Sequence, residues 1–433
     1  MENAEKIQMR KRNMGLFPIY KRLGWDYIFF YTINFLFLVQ VKNINPADIV
    51  LIDSFYYLFT TTMQIPATFI IEYIGRRNAI IFANVLSCLY IVVILFSQNL
   101  LNLILAELIS SLAFAIKGSA EPSLLNESIP PTRNKSKIFA KINEKGMSGY
   151  YVINGLATIL AGFLYEINPY IPMILSLVVL AIVTIISTLF IEPVSKKKKE
   201  KNANQIKDIK DSFGFILKSE RVKGLILFSV IMTSLLGVLA TYEVSLLEEL
   251  NVSAKYLGIL FAILGIISGL GTKRQERFHK RFRNKSLVIL GSLTIASCFL
   301  SGIAGMISKY YIIAIVVVIF AYAVKYICSG IYFALIEKYL SNFTNKHIDI
   351  KIFTANNCIR GICSAVIGVF ASFILNRLET AACMIIISII FIILTILVSK
   401  YMKTRVGLAP EQYSKEEVKY DKLKELDEKK VDN

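Results

Sequence analysis

The stretch that most constrains the fold is residues 66–80, PATFIIEYIGRRNAI, a polar turn with adjacent Arg76 and Arg77 between two long apolar runs. Upstream, residues 49–71 hold no basic residue and a single acid, Asp53; downstream, residues 79–97 hold no charge at all. Each run approaches the roughly 20 residues that a helix needs to cross a bilayer core of about 30 Å. Two arginines in a short turn between such runs belong on the cytoplasmic side of a membrane.

The alternation continues along the chain. Spans one to six are expected at residues 25–41, 49–71, 79–97, 100–117, 148–165 and 170–191, and spans seven to twelve at 224–246, 257–271, 286–307, 310–336, 354–375 and 383–398. This gives an all-α membrane protein with twelve transmembrane helices in two pseudo-symmetric six-helix bundles, 25–191 and 224–399. Around them lie a polar N-terminal segment (1–24), a basic linker (192–223) and a charged tail (400–433). Pro130 and Pro131 interrupt the basic segment 121–145 between spans four and five. Of the basic residues, only Lys42, Lys255, Lys309 and Arg377 fall in the external loops of this arrangement, so both termini are expected in the cytoplasm. An internal repeat supports the two halves: KIFA at 137–140 precedes span five, and KIFT at 351–354 precedes span eleven.

Composition matters here for what it excludes. A chain that is 55% hydrophobic and 18% charged is too apolar for an ordinary soluble domain. Its net charge of +18 sits in clusters between spans, which suits anionic lipid at the bilayer surface and not nucleic acid. The six cysteines form no CxxC pair and read as small packing residues without a metal role. The segment ahead of span one lacks the small-residue cleavage site of a removed signal peptide. Heavy use of Ile, Lys and Asn suggests an AT-rich bacterial source, hence a plasma membrane.

With the turn after span two and the six-plus-six pattern in view, the sequence resembles the major facilitator superfamily of secondary transporters over about residues 20–400. In that family the turn follows the pattern G-x-L-a-D-r-x-G-r-k-x-x-l. Aligned on residues 68–80, Gly75, Arg76, Arg77 and Ile80 fit it, while Thr68 replaces the first glycine and Glu72 the aspartate. The resemblance implies two bundles around a central cavity, and a cytoplasmic gate motif of Glu72, Gly75, Arg76, Arg77 and Glu127. In it, Glu72 caps a helix of the other half near residues 354–357, and Glu127 pairs with Arg76 or Arg77. The glycine-rich run of span five has Gly149, Gly155 and Gly162 but lacks the Gly-Pro of the family's antiporter signature.

Ionisable groups inside spans cost about 2.5 to 3.5 kcal/mol at the bilayer centre, so each needs a reason to be there. In span four, Glu107, Ser110, Phe114, Lys117 and Glu121 recur at helical spacing; in span ten, Tyr322, Lys325, Ser329 and Tyr332 do the same. Tyr27, Tyr31 and Asn34 share a face of span one. Glu107, Lys325, Tyr322, Ser329, Tyr31 and Asn34 are the expected cavity residues, with Glu107 as the proton or cation site. Lys325 either tunes Glu107 or meets an anionic part of the substrate; a structural ion pair, or separate partners within each half, is the alternative. Lys117 and Glu121, four apart, are expected to pair locally.

No catalytic constellation and no ATP-binding GxxxxGK[ST] loop occurs, so the chain is not expected to be an enzyme or to use a cofactor. The expected function is secondary transport of a small molecule by a monomer, foremost proton-coupled efflux of amphipathic, drug-like compounds. Import or facilitated diffusion of a polar metabolite is the alternative, and a non-transporting sensor or assembly factor a third.

Overall fold

A computed structural model describes residues 4–130, 132–192, 220–307, 311–342 and 349–402. Residues 193–219 of the central linker, Lys309, His347 and the tail from residue 403 lie outside the described residues. The described chain is helical, with no strand among the described residues. The chain folds as two compact units, residues 1–197 with 251–262, and residues 198–250 with 263–433.

In the first unit the helices are α1 (Ala4–Gly24), α2 (Tyr31–Leu36, continued as a π-turn over Phe37–Val41), α3 (Pro46–Thr62) and α4 (Gln64–Ile74). They are followed by α5 (Arg76–Phe96), α6 (Leu100–Ser128), α7 (Lys135–Ile167) and α8 (Tyr170–Thr188). The second unit contains α9 (Glu220–Glu249), most of α10 (Ala254–Lys273), α11 (Gln275–Phe282), α12 (Ser286–Met306), α13 (Tyr311–Asn342), α14 (Asp349–Leu375) and α15 (Thr380–Met402). Ten of these helices are long and apolar enough to cross a membrane. Spans one and two, both interrupted, complete the twelve.

Each interruption has a local cause. Between α1 and α2 the chain unwinds over residues 25–30, with Phe29 at φ 70°, a left-handed conformation rare for a bulky residue. The Asp26 carboxylate accepts the Tyr27 N–H at 2.9 Å there, an alternative to the helical bond. Span two breaks at Met63 because Pro66 has no N–H for the Thr62 carbonyl and its ring crowds that group. The N-terminal ends are capped as their sequences suggest: Asn45 Oδ1 accepts from Ala47 N before α3, and Asn99 Oδ1 from Asn102 N before α6, both at 2.9 Å.

Several helices run beyond their expected spans. The N-terminal segment forms α1, and its Phe17 and Tyr20 are buried in the core of the first unit with Ala83, Ile116, Ala120 and Leu124. Helix α6 continues past residue 117 to Ser128 before Pro130 ends it. Polar residues extend these helices because they find partners inside the unit. Asn13 of α1 donates to Ser128 Oγ at 2.9 Å and to the Ile191 carbonyl at 2.8 Å. Of the three span-five glycines, Gly149 faces Arg22, Gly162 faces the Ala254 backbone, and Gly155 has open space around it. Close packing therefore explains two of them.

Candidate functional site

An acid set among aromatic rings occupies the first unit. Glu107 of α6 is buried, 9% exposed, and accepts a hydrogen bond from the Tyr90 hydroxyl of α5 at 2.9 Å. Asp53 of α3 is its electrostatic neighbour. No basic side chain forms an ion pair with Glu107 among the described residues. Tyr27 stacks on Tyr90 with ring centroids 5.0 Å apart, meets Phe114 edge-on at 5.1 Å, and bonds Ser110 Oγ at 3.1 Å. Phe30 lies 5.4 Å from Tyr90 and 5.5 Å from Tyr31, whose ring is half exposed. The unwound stretch 25–30 is what aims Tyr27 and Phe30 into this cluster. Asn34 follows on α2, with its Oδ1 buried and without a hydrogen-bond partner among the described residues.

The last turn of α1 carries a charged network. Lys21 forms an ion pair with Glu121 of α6, and the Tyr20 hydroxyl donates to the other carboxylate oxygen at 2.8 Å. The Lys21 ammonium also sits 4.0 Å from the Trp25 ring centroid. This corrects the local Lys117–Glu121 pair expected from i,i+4 spacing. Glu121 turns to Lys21, while Lys117, buried on the same helix, has Glu121 and Asp26 as its electrostatic neighbours.

At the α4–α5 turn, Gly75 adopts φ 84°, a conformation that favours glycine, and a Cβ there would meet the Glu192 carboxylate at 3.2 Å. That carboxylate caps α5, accepting from Arg76 N at 2.9 Å and Arg77 N at 2.6 Å. The Arg76 guanidinium reaches α6, donating to Ser123 Oγ at 2.7 Å and Glu127 Oε1 at 2.5 Å, and Arg77 donates to the Thr188 carbonyl at 2.7 Å. Glu72 is exposed, and its side chain has no hydrogen bond or ion pair among the described residues. The side chains of residues 349–355 lie outside the described set, so its expected partner near residue 354 is not part of this geometry.

In the second unit, Lys325 of α13 pairs with Glu243 of α9 at 3.0 Å; both are buried, and the ammonium lies 4.3 Å from the Tyr326 ring centroid. The Tyr322 hydroxyl donates to the Glu243 carbonyl at 3.2 Å, and Ser329 Oγ turns back to the Tyr326 carbonyl at 3.0 Å. Lys325 and Glu107 thus each have a partner within their own unit. In both units a buried ion pair joins two helices, with polarity reversed: Lys21 of α1 with Glu121 of α6, and Glu243 of α9 with Lys325 of α13.

Sequence reasoning did not assign site roles to Tyr90, Asp26, Lys21, Glu192 or Glu243. Glu192 carried one signal, an acid directly past span six and ahead of a lysine run. Tyr90 carried none, because nothing in span three marks it off from other aromatics.

The fold and these buried groups define a multi-pass helical membrane protein with polar groups concentrated inside its bundles. The sequence profile described as "Major Facilitator Superfamily" matches residues 23–345, and the chain belongs to that family, one of transporters and not of enzymes. It is 23% identical over 246 residues to an uncharacterized MFS-type transporter, YxaM, of Bacillus subtilis (strain 168), covering 56% of this chain and 60% of that relative. Among solved structures, the nucleoside transporter NupG has a TM-score of 0.69 at 13% identity, over 93% of this chain and all of that one (100%). A D-xylose-proton symporter gives 0.63 at 13% identity, covering 92% and 98% of the two chains. A bacterial homolog of the human lysosomal transporter Spinster gives 0.62 at 12% identity, covering 94% and 99%.

Proposed function

We propose that this protein is a proton-coupled secondary transporter that exports amphipathic compounds carrying an aromatic ring and a positive charge. The observation that carries the reading is Glu107, a buried carboxylate held by Tyr90, beside Asp53 and without a basic ion-pair partner among the described residues. An ionised group of this kind is costly in a bilayer core, and either a proton or a substrate cation neutralises it. A site that takes one or the other in turn is the minimal requirement for exchange. Tyr27, Phe30, Tyr31, Tyr90 and Phe114 supply ring faces and edges for an aromatic cation. Lys325 is paired with Glu243, which favours a structural role for it over direct tuning of Glu107. The turn at Gly75, Arg76 and Arg77, tied to Glu127 and Glu192, is assigned to the gate, with Glu72 available to the opposite half in one state of the cycle.

The test is growth of an efflux-deficient bacterium expressing wild type or Glu107→Gln at matched levels, across cationic, neutral and anionic toxic compounds. Protection against the cations by wild type, lost in the variant, is the expected result. Equal protection by both would remove Glu107 from the mechanism. A second reading, import of a polar metabolite, draws support from the missing Gly-Pro in span five. Absence of protection against every compound, with metabolite accumulation, would favour it.

A further inference from the structure

The second unit carries a groove of about 390 Å³, built by α10, α11 and α13. Its volume falls within the roughly 300–1,000 Å³ of small-molecule sites. Its walls are of two kinds. Ile267 and Leu270 of α10 and Ile327 and Ile331 of α13 come from membrane-spanning helices, and Arg274, Arg277 and Arg281 gather where α10 ends and α11 begins. All three arginines are exposed, and no carboxylate pairs with them among the described residues.

The groove is a fixed feature of the unit. Helices α10 and α13 cross in close contact: a Cβ on Gly271 would lie 2.6 Å from the Ile327 carbonyl oxygen, and Thr272 Oγ1 donates to the Gly330 carbonyl at 3.1 Å. Helix α11 is pinned from below, since His279 is buried and its Nδ1 is 3.2 Å from the Tyr339 hydroxyl and 3.3 Å from Ser286 Oγ. Arg277 and Arg281, one turn apart, consequently share the groove side, with Arg281 over the Phe282 ring at 5.6 Å. Guanidinium groups bind phosphate through paired N–H donors, and apolar walls on bilayer-crossing helices suit acyl chains. Basic pockets between membrane helices bind anionic headgroups.

We propose that this groove binds one anionic phospholipid, its phosphodiester among Arg274, Arg277 and Arg281 and an acyl chain along Ile267, Leu270 and Ile327. The test is native mass spectrometry of the full-length protein with added dioleoyl-phosphatidylglycerol, dioleoyl-phosphatidylcholine or glycerol 3-phosphate. One phosphatidylglycerol should be retained in preference to phosphatidylcholine. The R274Q/R277Q/R281Q variant should bind it more weakly by on the order of a hundredfold, about fivefold for each arginine. Ile327→Trp fills the apolar wall with every arginine kept, and should also lose the lipid; K135Q/K137Q/K141Q, elsewhere in the chain, should not. Unchanged binding in both groove variants would overturn the proposal. So would glycerol 3-phosphate competing as well as intact lipid, which would make the site one for a soluble phosphoester. Lipid binding seen only after neutralising the tail acids Glu416, Glu417, Glu425, Asp427 and Glu428 would make the tail the occupant and equally overturn it.

Discussion

Replacing Glu121 by Gln tests whether the buried pair with Lys21 holds α1 against α6. Lys21 and Glu121 are 4% and 2% exposed, so solvent cannot take over the charge left behind. Removing one partner of a buried pair costs about 3 to 5 kcal/mol. Two local features bear on where in that range the loss falls. The Tyr20 hydroxyl keeps an acceptor in the glutamine amide oxygen, and Lys21 keeps its contact with Trp25 at 4.0 Å; against this, Lys117 loses the same acidic neighbour. The expected loss is thus about 3 to 4 kcal/mol. Lys21→Met combined with Glu121→Gln removes both charges and should return to within about 1 kcal/mol of wild type, since well-packed neutral replacements of buried pairs are often neutral or stabilising. Denaturant unfolding of the purified protein in mild detergent, for wild type, both single variants and the double, measures the cycle. A Glu121→Gln loss under about 1 kcal/mol, or a double variant no better than the single, would refute the reasoning.

Gly75→Ala should lower stability by about 1 to 3 kcal/mol, since φ 84° with ψ 165° is a backbone region that essentially only glycine adopts, read as a drop in thermal unfolding temperature. Glu192→Gln should weaken the cap of α5 by about 0.3 to 1 kcal/mol, and combined with Arg76→Gln its effect should be less than additive in the same assay. Glu243→Gln should destabilise by about 3 kcal/mol or more, with Lys325→Met restoring most of it in the double variant. Pro66→Ala should allow α3 and α4 to join through residue 63, visible as slower amide hydrogen exchange at residues 63–67.

The sequence revealed the architecture because bilayer thickness writes itself into run length: the apolar stretches from residue 76 onward became helices near their expected positions. The turn at residues 75–77 was equally legible, since a glycine followed by two arginines between spans has few uses. What stayed hidden was pairing across the bundle. Lys117 and Glu121 are four apart and invite a local bond, but Lys21, a hundred positions earlier, takes the carboxylate because α1 packs on α6. Periodicity within one helix carries no record of that. Span one was expected at residue 25 because Lys21 and Arg22 look too polar to be interior, and the structure buries Lys21 by giving it Glu121. Lys325 stood out in span ten by its charge, but only the packing of α13 on α9 joins it to Glu243.

Glu107 as the exchange site is the central claim, and proton movement measures it most directly. Purified protein would be reconstituted into liposomes containing a pH-sensitive dye, with ethidium as an aromatic cation on one side. Wild type should move protons against ethidium. Glu107→Gln should abolish the proton flux and weaken ethidium binding, read from the quenching of intrinsic fluorescence, with the aromatic rings retaining part of it. Proton flux of equal size in wild type and variant would contradict the account.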